Sequence, residues 1–152
     1  MSAESRLAEL GITLPEAAAP AANYIPYAVT GNLLFTSGQL PLTGGKLSAT
    51  GLLGRELDVT AGRAAAKWCA VNILAQAKAA LGDLDRIARV VKISAFVAST
   101  PDFTEQHLVA NGASDFLVDV LGDRGRHARS AVGMASLPLN APVEIEAVIE
   151  IA

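Results

Sequence analysis

The strongest constraint on how this chain folds is the run from Ala128 to Ala152, ARSAVGMASLPLNAPVEIEAVIEIA, which alternates with the period of two expected of strands. In its first half Arg129, Ala131, Gly133 and Ala135 share one face, with Ser130, Val132 and Met134 on the other. In its second half Val143, Ile145, Ala147, Ile149 and Ile151 make an apolar face opposite Glu144, Glu146 and Glu150. An arginine among alanines and a glycine has room around it for a ligand or a neighbouring chain. A glutamate on an adjacent strand is expected to stand near it. Arginine to grip a carboxylate and glutamate to move a proton define a small-molecule site.

The segments upstream supply the rest of a sheet and a helical layer. Thr60 to Leu81 places Ala66, Ala70, Ile73, Ala77 and Leu81 at helical spacing, with Asp58 or Thr60 as a cap and Gly82 after its end. Arg89 to Ala98 reads as a strand with Val91, Ile93, Ala95 and Val97 on one face. Thr100 and Pro101 are expected to open a second helix, as N-cap and first helical residue, with a stripe through Phe103, Ala110, Ala113, Leu117 and Val120. Tyr27–Val29 and Asn32–Ser37 form a hairpin about Thr30-Gly31, and residues 43–46 make a second turn. Ala3 to Leu10 is a short helix stopped by Gly11, within an N-terminal extension of residues 1–22 on a single domain spanning 1–152. The order is ββ(β)–α–β–α–β–β. It implies an α+β two-layer sandwich, with two helices on one face of a mixed β-sheet of four to six strands. The other face, if lined by Ala, Gly and carboxylates, is too polar for a monomer core and is expected to meet partner subunits.

Composition narrows the function classes. With 51% hydrophobic and 18% charged residues the chain packs a core and is not disordered. A net charge of −3 and no basic cluster argue against a nucleic-acid partner. No apolar run approaches the roughly 20 residues that cross a bilayer, so no membrane association is expected. The single cysteine, Cys69, excludes an internal disulfide and offers no zinc-like spacing. The opening MSAESRLAELGI lacks the pattern of a signal peptide, and a cytoplasmic protein is expected. Alanine buries little area per residue, so association between chains would add burial that the core lacks.

Phe35-Thr36-Ser37-Gly38-Gln39-Leu40-Pro41, together with Ala128-Arg129-Ser130, Leu137-Pro138 and Val143-Glu144-Ile145-Glu146-Ala147, resembles the RidA/YjgF family, also called the endoribonuclease L-PSP family. The resemblance covers most of the chain from about Tyr27 onward. It implies a chorismate-mutase-like fold, a homotrimer forming a trimeric barrel, and three clefts between adjacent subunits. It further implies hydrolysis of reactive enamines and imines to 2-oxo acids and ammonia, on a small-molecule substrate bearing a carboxylate, with no metal or organic cofactor. By the same resemblance Arg129 binds the carboxylate and Glu144 stands by the catalytic water. Ser37, Gly38 and Tyr27 match binding residues, and Asn111 matches a helix asparagine beside the cleft. The cysteine common in the family two residues after the arginine is replaced here by Ala131, which excludes thiol chemistry at the site.

Each of these residues also has a plainer reading. Arg129 could serve an interfacial ion pair, Glu144 could be a solvated strand residue, and Tyr27 could pack with its hydroxyl bonded. Ser37 has no nucleophile-elbow context, so hydrogen bonding is its expected role. His127, a candidate binding residue, is expected on the strand face opposite Arg129 unless the loop before it kinks. Three other activities compete with imine hydrolysis. They are sensing of a 2-oxo acid or amino acid without catalysis, deamination of a 2-aminomuconate-like compound, and, less favoured, RNA cleavage.

Overall fold

The computed structural model describes all 152 residues. Three helices, α1 (Ala3–Glu9), α2 (Val59–Leu81) and α3 (Gln106–Leu121), accompany seven strands: β1 (Tyr27–Thr30), β2 (Leu33–Thr36), β3 (Leu42–Thr43), β4 (Lys46–Leu47), β5 (Ile87–Ala98), β6 (Ala128–Met134) and β7 (Val143–Ile151). Five of the strands form one sheet in the order β1-β2-β7-β5-β6, and β3-β4 is a separate small hairpin. All contacts in the large sheet are antiparallel except β5 with β6. The expected α+β two-layer sandwich on a mixed sheet is the fold observed.

The core lies between the sheet and α2–α3. On α2, Ala66, Ala70, Ile73, Ala77 and Leu81 are all buried, as their spacing requires. Asp58 caps the helix by accepting from the Ala61 amide at 2.8 Å. The sheet answers with Leu34, Ile93, Ala95, Val97, Val143, Ile145, Ala147 and Ile149. No helix is long and apolar enough to cross a membrane.

Two expectations about these elements are corrected. β5 starts at Ile87, and irregular pairing with β7 between Val90 and Lys92 resets its alternation. Val90 and Ile87 therefore enter the core, whereas Val91 is only half-buried. Thr100 is not a helix cap. The chain makes a turn there, with the Phe103 amide donating to the Thr100 carbonyl at 3.1 Å, and α3 starts only at Gln106. The Gln106 amide group then closes the gap by donating to the Phe103 carbonyl at 2.8 Å.

The face of the sheet away from the helices is also not the face expected. Arg129, Ala131 and Gly133 pair in register with Ile93, Ala95 and Val97, so they look toward the helical layer, at the sheet's edge. The open face carries two apolar pairs, Phe35 with Val148 and Phe96 with Val132, separated by the polar row Glu146, Ser94 and Ser130, with Lys92 beside Val148 and Glu144 beside Phe96. Phe35 and Val132 remain 41% and 43% exposed there, large apolar side chains with no cover in one chain.

Candidate functional site

β6 is the edge strand beside α3, and its register aims Arg129 at one helical stripe. Asn111, Ser114 and the backbone at His107 lie on that stripe, at spacings of three and four residues. Arg129 Nη1 donates to Asn111 Oδ1 at 2.9 Å and to Ser114 Oγ at 3.1 Å, while Nη2 donates to the His107 carbonyl at 3.1 Å. All three acceptors are neutral. None of the six ion pairs in the chain involves Arg129, so a half-buried guanidinium sits without a counter-ion. Asn111, Ser114, Val118, Arg126, His127 and Arg129 line a cavity of about 300 Å³ beside it. With Arg129 and His127 on its lining, no carboxylate among the lining residues, and Arg126 there already paired with Asp123, that cavity is a place for an anion at Arg129.

His127 belongs to this cluster and does not point away from it. It lies two positions before Arg129, with only Ala128 between them, and a period of two keeps such residues on one side of the chain. Its Nδ1 is 2.6 Å from the Gly125 carbonyl and its Nε2 is 2.8 Å from Ser114 Oγ. Burial, and to a smaller degree the charge of Arg129, hold the imidazole below its usual pKa.

Glu144 stands in a second cluster. On β7 it pairs with Phe96 and therefore faces the open side of the sheet. Partial burial raises its carboxyl pKa above the ordinary value, with the neighbouring Glu146 adding to the shift. No cation pairs with it. Gly38 lies directly against the carboxylate, and a Cβ there would make the Glu144 side chain shift. The glycine thus permits this placement of the carboxylate by close approach, not by an unusual backbone angle.

Ser37 and Tyr27 have structural duties. The Ser37 hydroxyl donates to the Ile25 carbonyl at 2.6 Å and its amide to the Pro26 carbonyl at 2.9 Å, pinning the segment before β1. Tyr27 pairs with Thr36 and packs half-buried on the core. Ser37 and Gly38 also line a small cavity of about 100 Å³ with Tyr24, Gln39 and Leu139.

Arg129 and Glu144 are thus not neighbours within one chain. β5 runs between their strands, and the register puts the two side chains on opposite faces of the sheet. One chain groups Arg129 with Asn111 and His127, and separately groups Glu144 with Gly38. Ser114 escaped the sequence reading. The signal was present, because Asn111 and Ser114 are three apart on a helix, but it needed the knowledge that β6 lies against that face.

The chain matches, over residues 4–151, the family model described as "YjgF/chorismate mutase-like, putative endoribonuclease". It is 54% identical over 148 residues to protein TCP17 of Trypanosoma cruzi, covering 97% of this chain and 92% of that one. Among solved structures, protein Atu1372 of Agrobacterium tumefaciens superimposes with a TM-score of 0.94 at 61% identity, covering 99% and 92% of the two chains. RidA from the Antarctic bacterium Psychrobacter sp. PAMC 21119 does so with a TM-score of 0.64 at 29% identity, covering 90% and 94%. A match over nearly the whole chain, on a sheet and helix layer of the same design, places this protein in the YjgF/RidA family with its chorismate-mutase-like fold.

Proposed function

We propose that this protein hydrolyses 2-imino and enamino acids to 2-oxo acids and ammonia, in clefts formed between the subunits of a homotrimer. The observation that carries the reading is the pairing of two unanswered groups. Arg129 is a half-buried cation without an anion, and Glu144 is a half-buried carboxylate without a cation, on opposite faces of one sheet. Each chain holds half a site twice over. A second copy, covering the open face with its exposed Phe35 and Val132, would bring one half to the other.

The chemistry needs little more than those halves. The substrate carboxylate binds the guanidinium fork of Arg129, whose present acceptors are neutral and exchangeable for a charged one. Water adds to the carbon of the protonated imine as Glu144 takes its proton, giving the neutral carbinolamine. Glu144 returns that proton to the nitrogen, and as the C–N bond breaks the hydroxyl gives up its own proton to the departing ammonia, leaving the 2-oxo acid and ammonium. A carboxyl with a raised pKa is suited to both directions of transfer. Because imines hydrolyse unaided in water, positioning and one proton relay suffice for catalysis. Ala131 leaves no thiol beside Arg129 to divert the imine.

The test is ammonia release from freshly generated 2-iminobutanoate with and without the protein. Release faster than the uncatalysed rate is expected. Release at the uncatalysed rate, with 2-oxobutanoate still bound, would make the protein a sensor of 2-oxo acids. Light scattering after size exclusion should give three times the mass of the chain. A stable monomer at micromolar concentration would sink both the assembly and the shared cleft.

A further inference from the structure

The cavity beside Arg129 contains two groups that the proposed reaction leaves unused. Ser114 Oγ stands between His127 Nε2 at 2.8 Å and Arg129 Nη1 at 3.1 Å, and the far side of the imidazole rests on the Gly125 carbonyl at 2.6 Å. These contacts form one chain of hydrogen bonds from a loop carbonyl to the guanidinium. We propose that Ser114 and His127 are positioning residues that make the hold of Arg129 on a carboxylate depend on a proton. This rests on the reading of Arg129 as the carboxylate anchor.

The direction of each hydrogen bond follows from what each atom can do. The Gly125 carbonyl only accepts, so Nδ1 carries the hydrogen and the neutral ring offers Nε2 as an acceptor. The Ser114 hydroxyl must then donate to Nε2, and its lone pair receives the Arg129 N–H. In this state Ser114 presents no donor to the cavity. A proton added at Nε2 reverses the order. The imidazolium donates to Ser114 Oγ, the hydroxyl hydrogen is freed toward the cavity, and a second positive charge stands near the guanidinium. An anion in the cavity gains a donor and a charge at once.

Nothing else in the chain supplies the opposing charge. The charged groups lining the cavity with the imidazole are Arg126 and Arg129. Asp123 is paired with Arg126 at 3.1 Å, and Arg124 is engaged with Asp85. On α3, Asp115 and Asp119 line a different cavity with Arg63 and Lys67. From β5, Lys92 is in register with Ala128 and lies off this face. Burial, and to a smaller degree the Arg129 charge, favour the neutral ring, against the opposing hydrogen bond to the Gly125 carbonyl. By reciprocity, an anion that prefers the protonated ring must draw a proton onto it.

The experiment is calorimetric titration of 2-oxobutanoate, which stays ionised throughout, between about pH 5 and pH 8. Two buffers of different ionisation heat report proton uptake. Wild type should bind roughly fivefold or more tightly at the acid end, with net uptake of protons. His127→Gln and Ser114→Ala should each lose that uptake and the part of the pH dependence tied to it. Glu144 remains in both variants, so the difference from wild type is the readout. Wild-type affinity that is constant across the range would overturn the proposal and leave the carboxylate anchor standing. Variants that keep the full pH dependence and proton uptake would overturn it equally. Absence of 2-oxobutanoate binding at every pH would remove the anchor itself, and this inference with it.

Discussion

Replacing Arg129 by alanine is expected to remove hydrolysis of 2-imino acids while leaving the fold and the assembly in place. The guanidinium is half-buried at the sheet's edge, outside the main core, and its three acceptors on α3 lie beside a cavity that water can enter. Truncation therefore leaves no deeply buried group unsatisfied, and the melting temperature should change little. The functional cost is larger. Hydrogen bonds to charged groups contribute about 1.5–3 kcal/mol each, so loss of a two-pronged contact should lower kcat/KM by roughly 10²-fold or more. Lysine should restore little, because a point charge does not reproduce the planar fork. Steady-state ammonia release beside thermal melts and light scattering separates these effects. Wild-type activity in Arg129→Ala would show that the carboxylate is held elsewhere.

Glu144→Gln should lower turnover by roughly 10²-fold or more, the usual scale of general acid–base catalysis, with a much smaller effect on binding of 2-oxobutanoate. The substitution keeps the size and hydrogen bonding of the side chain but cannot carry a proton. It also predicts a change in pH response. The carboxyl has a raised pKa from burial, so wild-type hydrolysis that needs the ionised form should decline as pH falls through that raised value. The glutamine variant should lose this limb. Stability moves the other way. The folded protein holds this proton more tightly than the unfolded chain, so the group adds stability as pH drops through the folded pKa and costs stability once ionised. Glu144→Gln should therefore be at least as stable as wild type at neutral pH, as denaturant titration would show. Unchanged hydrolysis would remove Glu144 from the reaction.

The architecture was legible because each layer announced its period. The apolar positions of α2 recur at helical spacing and all of them are buried. The alternating faces of β7 are those observed, with Val143, Ile145, Ala147 and Ile149 inward. Local pattern failed where a long-range contact decided the matter. The irregular pairing of β5 with β7 shifts which valines are buried, and no local rule in Arg89–Ala98 encodes its partner's register. Thr100-Pro101 carries the letters of a helix start, yet the turn there is set by packing of Phe103 and by Gln106 reaching back. The residues Arg129, Asn111, Glu144 and Gly38 were all identifiable as candidates. Their partition into two clusters was not, because it depends on β5 lying between β6 and β7. Sequence order suggests those two strands are neighbours. The sheet separates them.

That separation has a genetic meaning. When Arg129 and Glu144 of a productive cleft come from different chains, a defect in one and a defect in the other complement each other in trans. A subunit lacking Arg129 still offers an intact Glu144, and a subunit lacking Glu144 still offers an intact Arg129. Chains carrying either defect alone would assemble into inactive rings. Expressed together in equal amounts and mixing at random, they would rebuild about one cleft in four with both groups whole, as closed symmetric assembly requires. The functional unit of such a cleft is then the pair of chains that meet, and not the chain.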